Sequence, residues 1–338
     1  MNEIANVESM RAERVQTGNE LERCPHPIPF GWFCVMLSEE LAPKEVKTFH
    51  VFGRDWVLFR GEDCRVGMTD PYCPHLGAHL GHGGEVVGNN VRCPFHHWEY
   101  DTEGWCKHIP YATVMPPITQ RKPVLQALPV IERYGAISAW YHPDNIAPAF
   151  ELLHVPELEA EGYVPITRGC WEIHTEIQEI GENGVDYPHL RYLHRNPIIP
   201  PSTSRADGIH FTNDIGHGYI VTESTGPGVG IVRFTQDAVT MTAMSMSTPI
   251  DRDHTRMRWF FTYKDWPAGS TELAIAQKLK QHSVGAVEGE DSAGFESVDL
   301  EVWHNKKYRP RPLLCDGDGP ILMWRKWFRQ FYAEGVKE

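Results

Sequence analysis

Apolar residues change their spacing along the chain, from short broken runs in the first half to helical repeats near the end. Residues 31–142 contain short apolar runs separated by Gly, Pro and Asp, and residues 48–60 alternate around a Gly-Arg-Asp turn, as in a β-hairpin. Residues 134–141 predict another strand, and the half lacks the spacing of an amphipathic helix. The first half is therefore predicted to be all-β.

The second half combines strand-like runs with helical repeats. The predicted strands cover residues 171–179, 219–223, 230–235, 239–247 and 257–264. Apolar residues at three- and four-residue spacing indicate helices, and the last of them is rich in aromatic residues and Arg. The predicted helices cover residues 271–282, 291–307 and 321–333.

The domain organisation follows from these patterns and from the length. A chain of 338 residues is long enough for about two domains with a substantial core. Residues 143–170 are richer in Pro and Glu, which indicates a boundary, and strands followed by helices are typical of an α+β domain. The sequence therefore predicts an N-terminal arm (1–27), an all-β domain (28–145) and an α+β domain (146–338).

Charge and composition exclude some partners and compartments. Lys and Arg total 32 against 45 Asp and Glu, so the net charge of −13 argues against nucleic acid or an anionic membrane as the main partner. Apolar runs are too short to span a bilayer, and the start of the chain has no signal-peptide pattern. We therefore expect a cytoplasmic protein, in which eight cysteines do not form a disulfide framework.

Cysteine and histidine alternate in two short segments. Cys73-Pro-His75 is followed, after seventeen intervening residues, by Cys93-Pro-Phe-His96. In a Rieske [2Fe–2S] cluster two Cys hold one iron and two His hold the other, which raises the reduction potential above that of an all-Cys cluster. Each segment offers one ligand of each kind. The pattern therefore predicts a Rieske cluster held by Cys73, His75, Cys93 and His96.

The alternative for the same four residues is a structural Cys2His2 zinc site. Zinc sites usually pair Cys with Cys and His with His, whereas here each segment holds one of each. The Pro after each Cys and the Gly-rich residues 81–84 also favour the cluster. Three further histidines fall outside the pattern and are expected to be solvated or hydrogen-bonded: His79, His82 and His97.

A second set of ligands is predicted around two histidines five residues apart. His189 and His194 can meet one metal from a turn of helix and the loop after it. Two His and one carboxylate form the facial triad of non-haem Fe(II) oxygenases, which leaves coordination positions open. The alternative is that both rings are simply hydrogen-bonded in the core. The cluster upstream favours the metal, because a one-electron carrier needs an acceptor.

The third ligand is expected in the predicted helix 291–307. Its acidic candidates are Asp291, Glu296, Asp299 and Glu301. Asp299 lies beside an apolar stripe of Phe295, Val298 and Val302, which favours it, although all four acids can instead be solvated charges. Asp186, three residues before His189, can share a helical face with it and orient its ring, or it can be an N-cap or part of a surface salt bridge.

Several stretches of the chain resemble the oxygenase component of Rieske non-haem iron oxygenases, above all 3-ketosteroid 9α-hydroxylases and cholesterol 7-desaturases. They are CPHLGAHLGHGG with CPFHHWEY, GWCKHIPYA, NGVDYPHLRYLH, VDLEVWHNKKY, PLLCDGDGP and RKWFRQFYAE. The resemblance implies an N-terminal all-β Rieske domain and a C-terminal helix-grip catalytic domain, an antiparallel sheet with helices. Phe95 departs from the tyrosine that many dioxygenases have, so it cannot donate a hydroxyl hydrogen bond to the cluster.

The resemblance also implies roles for individual residues. It gives the cluster the four ligands named above and gives the mononuclear iron His189, His194 and Asp299. Asp186 matches an intersubunit electron-transfer bridge to His96 of the partner subunit, which implies a head-to-tail homotrimer. Asn183 matches a residue near the iron.

The implied activity is O2-dependent hydroxylation of a bulky hydrophobic substrate, steroid-like by resemblance. Electrons from NADH are expected to arrive through a separate ferredoxin-type reductase, because the chain has no GxGxxG between a strand and a helix and residues 226–230 predict a turn. The alternatives are an O- or N-demethylase, an aromatic-ring oxygenase, a sterol desaturase, a Rieske electron-transfer protein or a zinc-stabilised binding module. The methionines of residues 239–247 either line a pliable cavity or pack in the core.

Overall fold

The structure is a computed structural model that describes residues 23–284 and 295–333. Most of the predicted arm, the first four residues of the predicted helix 291–307 and the candidate ligand Asp291 lie outside the described residues. The side chain of the candidate Glu296 does as well. Within the described ranges, no helix has the length and apolar character needed to cross a membrane.

The first half folds into three small antiparallel sheets, as the all-β prediction required. Their strand orders are β1-β11-β10, β2-β3-β4-β9 and β5-β6-β7-β8. The strands are β1 (Gly31–Leu37), β2 (Val46–Val51), β3 (Arg54–Arg60), β4 (Val66–Thr69), β5 (Glu85–Val87), β6 (Asn90–Arg92), β7 (Glu99–Tyr100), β8 (Cys106–His108), β9 (Ala127–Leu128), β10 (Val130–Arg133) and β11 (Ala136–Tyr141).

The predicted hairpin is present, but its turn lies one residue earlier than expected. Phe52 and Gly53 connect β2 to β3 with φ of 57° and 73°, while Arg54 and Asp55 already belong to β3. Two positive φ angles are the geometry of a type I′ turn, which matches the right-handed twist of the paired strands.

The second half is built on one seven-stranded antiparallel sheet in the order β12-β18-β17-β16-β15-β14-β13. Its strands are β12 (Thr167–Ile173), β13 (Ser202–Asp207), β14 (His210–Ile215), β15 (Ile220–Thr225), β16 (Val229–Gln236), β17 (Val239–Pro249) and β18 (Thr255–Tyr263). The four last predicted strands are confirmed as β15 to β18. The predicted turn at 226–230 is shorter, because Val229 and Gly230 already belong to β16.

In the described part of the chain, two α-helices lie between β12 and β13, and three follow β18. They are α1 (Ile177–Glu182), α2 (Tyr187–Tyr192), α3 (Thr271–Val284), α4 (Phe295–Asn305) and α5 (Ile321–Phe328). The predicted strand 171–179 is wrong in its second part, because Ile177 and Ile180 are three residues apart on a buried helix face. The predicted helix 321–333 ends at Phe328 and continues as a 3-10 turn, Arg329–Phe331.

The two halves share one core. Trp324, Trp327 and Phe328 of helix α5 belong to the same buried core cluster as Phe33 and Trp56 of the N-terminal sheets. Strand β1 packs on β17, where the Thr248 hydroxyl donates to the Cys34 carbonyl over 2.8 Å. These contacts make the fold an α+β structure in which a β-domain and a helix-grip domain pack firmly together.

Candidate metal centres and the cavity beside them

The two predicted cluster segments adopt the same turn. In each, the cysteine N–H donates to the carbonyl five residues later, at 2.9 Å for Cys73 and 2.8 Å for Cys93. The N–H four residues later donates back to the cysteine carbonyl, at 2.9 and 3.1 Å. The residue making this return bond is left-handed in both turns, with φ of 76° at Gly77 and 59° at His97. Two turns of the same conformation thus hold the four predicted ligands of the cluster.

The four predicted ligands face each other inside these turns. The thiols of Cys73 and Cys93 are buried, and the rings of His75 and His96 have centroids 4.8 Å apart. Both histidine Nδ1 atoms are buried, and neither has a hydrogen-bond partner among the described residues. A buried ring nitrogen without a partner is costly, so two thiols and two such nitrogens fit a metal cluster.

Tyrosine and tryptophan side chains surround this ligand set. The Tyr100 hydroxyl lies 3.1 Å from Cys73 Sγ, and burial raises the pKa of Tyr100, so it stays a donor. The Trp98 ring stacks on His75 with centroids 4.6 Å apart, and its Nε1–H donates to Tyr111 Oη over 2.8 Å. Sequence reasoning identified the missing hydroxyl at Phe95 but not the hydroxyl that Tyr100 supplies.

The three histidines outside the pattern have other surroundings than the four predicted ligands. His79 and His82 have ring centroids 4.4 Å apart, and His79 Nδ1 accepts the N–H of Gly81 over 3.1 Å. His82 and His97 are exposed. These histidines are therefore hydrogen-bonded or exposed to solvent, as expected.

The second predicted set also comes together. His189 lies in α2, His194 in the loop after it and Asp299 in α4, and one ligand atom from each lies within 4.8 Å of the others. His194 Nε2 is 3.2 Å from Asp299 Oδ1. The His189 carbonyl accepts the N–H groups of Leu193 and His194, at 2.8 and 3.2 Å, which turns the second histidine back towards the first. Two imidazoles and a carboxylate are the donor set of a mononuclear iron site.

Helix α4 presents Asp299 inward, whereas Val302, the one stripe residue whose side chain is described, faces outward. Asp299 is only 3% exposed and Trp303, four residues on, is buried too, whereas Val302 is 43% exposed. The stripe prediction is therefore wrong at Val302, while its choice of carboxylate agrees with the geometry. Glu301 is exposed and accepts the side-chain amide of Asn305 over 3.2 Å.

Asp186 and Asn183 both lie next to His189. The sequence suggested that the Asp186 carboxylate orients the His189 ring. In the structure the backbone carbonyl of Asp186 does so instead, because it accepts His189 Nδ1–H. Burial raises the pKa of the half-buried Asp186 carboxyl. Asn183 Nδ2 lies 3.3 Å from His189 Nε2, which places this amide at the candidate iron site.

A cavity of about 190 Å³ borders His189, Asn183 and Asp299. Its apolar wall includes Ile177, Ile180, Trp259, Phe261 and Trp303. Of the two alternatives for the methionines, the structure shows core packing, because Met241, Met244 and Met246 are fully buried in the core clusters. Strand β17 contributes Ser245 and Ser247 to the cavity instead.

Sequence reasoning also missed a polar patch on the cavity wall. Asn213 lies between the inward residues Phe211 and Ile215 of β14 and is 5% exposed. Thr222 lies directly opposite it on β15. An asparagine inside an apolar alternation is a usable signal, because buried polar residues are uncommon without a reason.

Comparison with known families identifies this combination of sites. The family model of the Rieske [2Fe–2S] domain matches residues 31–124, so the first half is a Rieske domain. The model described as 3-ketosteroid 9alpha-hydroxylase C-terminal domain matches residues 139–332. The chain therefore belongs to the 3-ketosteroid 9α-hydroxylase family of Rieske non-haem iron oxygenases, which confirms the resemblance.

Individual relatives agree with this assignment. Cholesterol 7-desaturase of Caenorhabditis elegans is 32% identical, over 95% of this chain and 81% of that protein. The oxygenase component of 3-ketosteroid-9-alpha-monooxygenase of Rhodococcus rhodochrous is 30% identical, over 93% and 84%. The crystal structure of dicamba monooxygenase with non-heme iron and dicamba shares the fold, with a TM-score of 0.65 and 15% identity over 89% of this chain and 96% of that one.

Proposed function

We propose that the protein is the terminal oxygenase of a multicomponent Rieske monooxygenase that hydroxylates a bulky hydrophobic substrate of the steroid class. The observation that carries this proposal is the set His189, His194 and Asp299 at the edge of an apolar cavity, in a chain that also has a Rieske domain. The steroid class is supported by the names of the relatives from Rhodococcus rhodochrous and Caenorhabditis elegans.

We assign the [2Fe–2S] cluster to Cys73, His75, Cys93 and His96, and the mononuclear Fe(II) to His189, His194 and Asp299. When bound, the cluster supplies single electrons and the mononuclear iron supplies O2 activation. The chain's own residues fix the geometry. The Asp186 carbonyl holds the His189 ring, Asn183 lies beside it, and the aromatic and aliphatic cavity wall excludes water from the bound substrate.

The proposed working unit is a head-to-tail homotrimer in which Asp186 bridges to His96 of the partner subunit. Both ends of such an interface are apolar and exposed in the single chain. Around the cluster, Leu76 and Phe95 are 66% and 61% exposed, and beside α2 Tyr192 is 77% exposed. Exposed apolar patches of this kind are typical of interfaces. With Nδ1 of His96 turned inward, its Nε2 is the nitrogen available to a carboxylate.

The proposed electron donor is a separate ferredoxin-type reductase that takes electrons from NADH and docks near the cluster loops. A cytoplasmic location is part of the proposal, and eight cysteines without a disulfide fit a reducing compartment. The domain boundary at residues 145 and 146 also stays a proposal.

A substrate screen tests the function. Purified protein, a surrogate reductase and NADH are combined with sterols, 3-ketosteroids and bile-acid-like compounds, and NADH and O2 consumption are recorded together. At least one compound should stimulate both in equal amounts and gain one oxygen atom, as product mass spectrometry would show. The proposal is contradicted if no compound raises consumption above the rate without substrate.

Desaturation is the second candidate, because the relative from Caenorhabditis elegans is a cholesterol 7-desaturase. It uses the same assigned ligands, so the structure around the metals does not distinguish the two. The same product analysis separates them, since a desaturated product loses two hydrogen atoms and gains no oxygen.

A further inference from the structure

Three neighbouring strands of the catalytic sheet carry a row of polar side chains in register. Ser204 of β13 pairs with Asn213 of β14, and Asn213 pairs with Thr222 of β15. Residues directly opposite each other in antiparallel strands have side chains within contact distance on one face. The next residue in the row is Val232 of β16, which lines the cavity together with Asn213 and Thr222.

The hydrogen bonds within this row run in one direction. With the Asn213 amide oriented by its neighbours, Oδ1 accepts from the Ser204 hydroxyl over 2.5 Å. The Tyr187 hydroxyl lies 2.5 Å from Ser204 Oγ and 3.4 Å from Asn213 Oδ1. Asn213 Nδ2 donates one hydrogen to Thr222 Oγ1 over 2.7 Å. The acceptor capacity of the amide is therefore used from the side of β13 and α2, away from Thr222.

Two donors are left at the end of this row that faces the cavity. An asparagine amide has two N–H groups and a threonine hydroxyl has one O–H. The second N–H of Asn213 and the O–H of Thr222 have no acceptor among residues 23–284 and 295–333. The wall beside the two donors includes Ile215, Ile220 and Val232 together with Ser224. Since Thr222 is only partly buried, a molecule bound in the cavity can reach both donors and supply the acceptor.

We propose that Asn213 and Thr222 form a subsite that binds a carbonyl oxygen of the substrate. A carbonyl oxygen has two lone pairs and no proton, so it accepts both hydrogen bonds without presenting a donor to the apolar wall. The subsite lies near the candidate iron, because Asn213 Nδ2 is 3.9 Å from the position of a Cβ on Gly184, the neighbour of Asn183. The subsite rests on the proposed function in one respect, namely that this cavity holds the substrate.

The competing explanation is structural: the row fastens the sheet edge and Tyr187 to each other. Substitution of Asn213 does not separate the two, since it also removes the acceptor of the Ser204 hydroxyl and so disturbs the contacts with β13 and Tyr187. Thr222→Val does, because valine has the same shape, lacks the hydroxyl and leaves the bonds on the other side of Asn213 in place. Thr222→Ser keeps the hydroxyl and serves as the rescue variant.

The experiment is equilibrium dialysis of the metal-loaded protein with androst-4-ene-3,17-dione and with androst-4-ene, the related skeleton without oxygen. Wild type should prefer the dione. Thr222→Val should bind the dione about tenfold more weakly, the effect of one lost hydrogen bond, and bind the hydrocarbon as wild type does. Thr222→Ser should behave like wild type. Thr235→Val removes a hydroxyl that bonds Thr240 at 3.0 Å elsewhere in the sheet, and it should change neither affinity.

The subsite is overturned if wild type shows no preference for the dione, or if Thr222→Val keeps that preference. Turnover with NADH in the same preparations tests the proposed function separately. If the preference falls in Thr222→Val but the dione is never oxidised, the subsite stands and the function fails. If the dione is oxidised and Thr222→Val binds it as wild type does, the function stands and the subsite fails.

Discussion

The side chains that touch the metal ligands divide into those with a sequence signal and those without. The ligands in the Cys-Pro-His and Cys-Pro-Phe-His segments can be predicted from the sequence, because this spacing of Cys and His is typical of cluster ligands. Asp299 was favoured for its position, although the stripe that supported it fails at Val302. The sequence around Tyr100 does not indicate its contact with the cluster ligand Cys73. A tyrosine in a short buried strand is an ordinary core residue by its pattern, and only the fold brings its hydroxyl next to the Cys73 sulfur.

The hydroxyl of Tyr100 should tune the cluster. A hydrogen bond to a cysteine sulfur stabilises the reduced cluster, which carries more negative charge. Tyr100→Phe should therefore lower the reduction potential, by roughly 40 mV if the bond contributes about 1 kcal/mol to a one-electron couple. Redox titration followed by visible and electron paramagnetic resonance spectra measures this. Tyr111→Phe is the control, because its hydroxyl bonds Trp98 rather than sulfur, and an unshifted potential in Tyr100→Phe would refute the role.

At the scale of helices and strands, long periodic segments were predictable and short or polar ones were not. Strands β15 to β18 have apolar residues facing a core on at least one side, so their pattern is visible. Strand β13 is Ser-Thr-Ser-Arg-Ala-Asp, an edge strand with no large apolar residue, and only its pairing with β14 defines it. Sequence periodicity could therefore mark Asn213 on β14 as unusual, but not its pairing with Ser204 on β13.

The short helices around the iron were the other difficulty. Helix α1 has six residues, fewer than an isolated helix needs for stability, so packing rather than propensity forms it. Its polar face is held by α5, where Arg325 donates to both carboxylate oxygens of Glu182, at 2.5 and 3.0 Å. The local sequence does not reveal this tertiary contact, which is why the pattern of residues 171–179 predicts a strand through the start of α1.

At the scale of the whole molecule, the two candidate metal centres lie in separate parts of the chain. The proposed trimer assigns the Asp186 carboxylate to His96 of the partner subunit, while the Asp186 carbonyl orients His189 within its own chain. One residue would then connect the electron donor and acceptor. The backbone carbonyl of Asp186 and its side-chain carboxylate have different proposed roles, so a substitution that changes only the carboxylate separates them.

Asp186→Asn should keep both metal centres and slow electron transfer between them. The amide keeps the shape and the backbone contact but loses the charge that holds the partner's ring, and misplacement of this kind costs about a hundredfold in rate. Stopped-flow spectroscopy of the reduced, substrate-loaded protein mixed with O2 measures cluster oxidation directly. Asp318→Asn is a nearby control, since its carboxylate accepts the Cys315 N–H at 2.6 Å. A wild-type rate in Asp186→Asn would rule out the bridge.

The central claim is that one chain carries both a Rieske cluster and a mononuclear iron at His189, His194 and Asp299. Iron and acid-labile sulfide analysis of wild type and Asp299→Ala tests it most directly. Wild type should contain about three iron atoms per two sulfides, and Asp299→Ala about two per two with an unchanged cluster spectrum. A wild-type protein with two iron atoms per two sulfides after reconstitution with Fe(II) would contradict the account and leave an electron carrier.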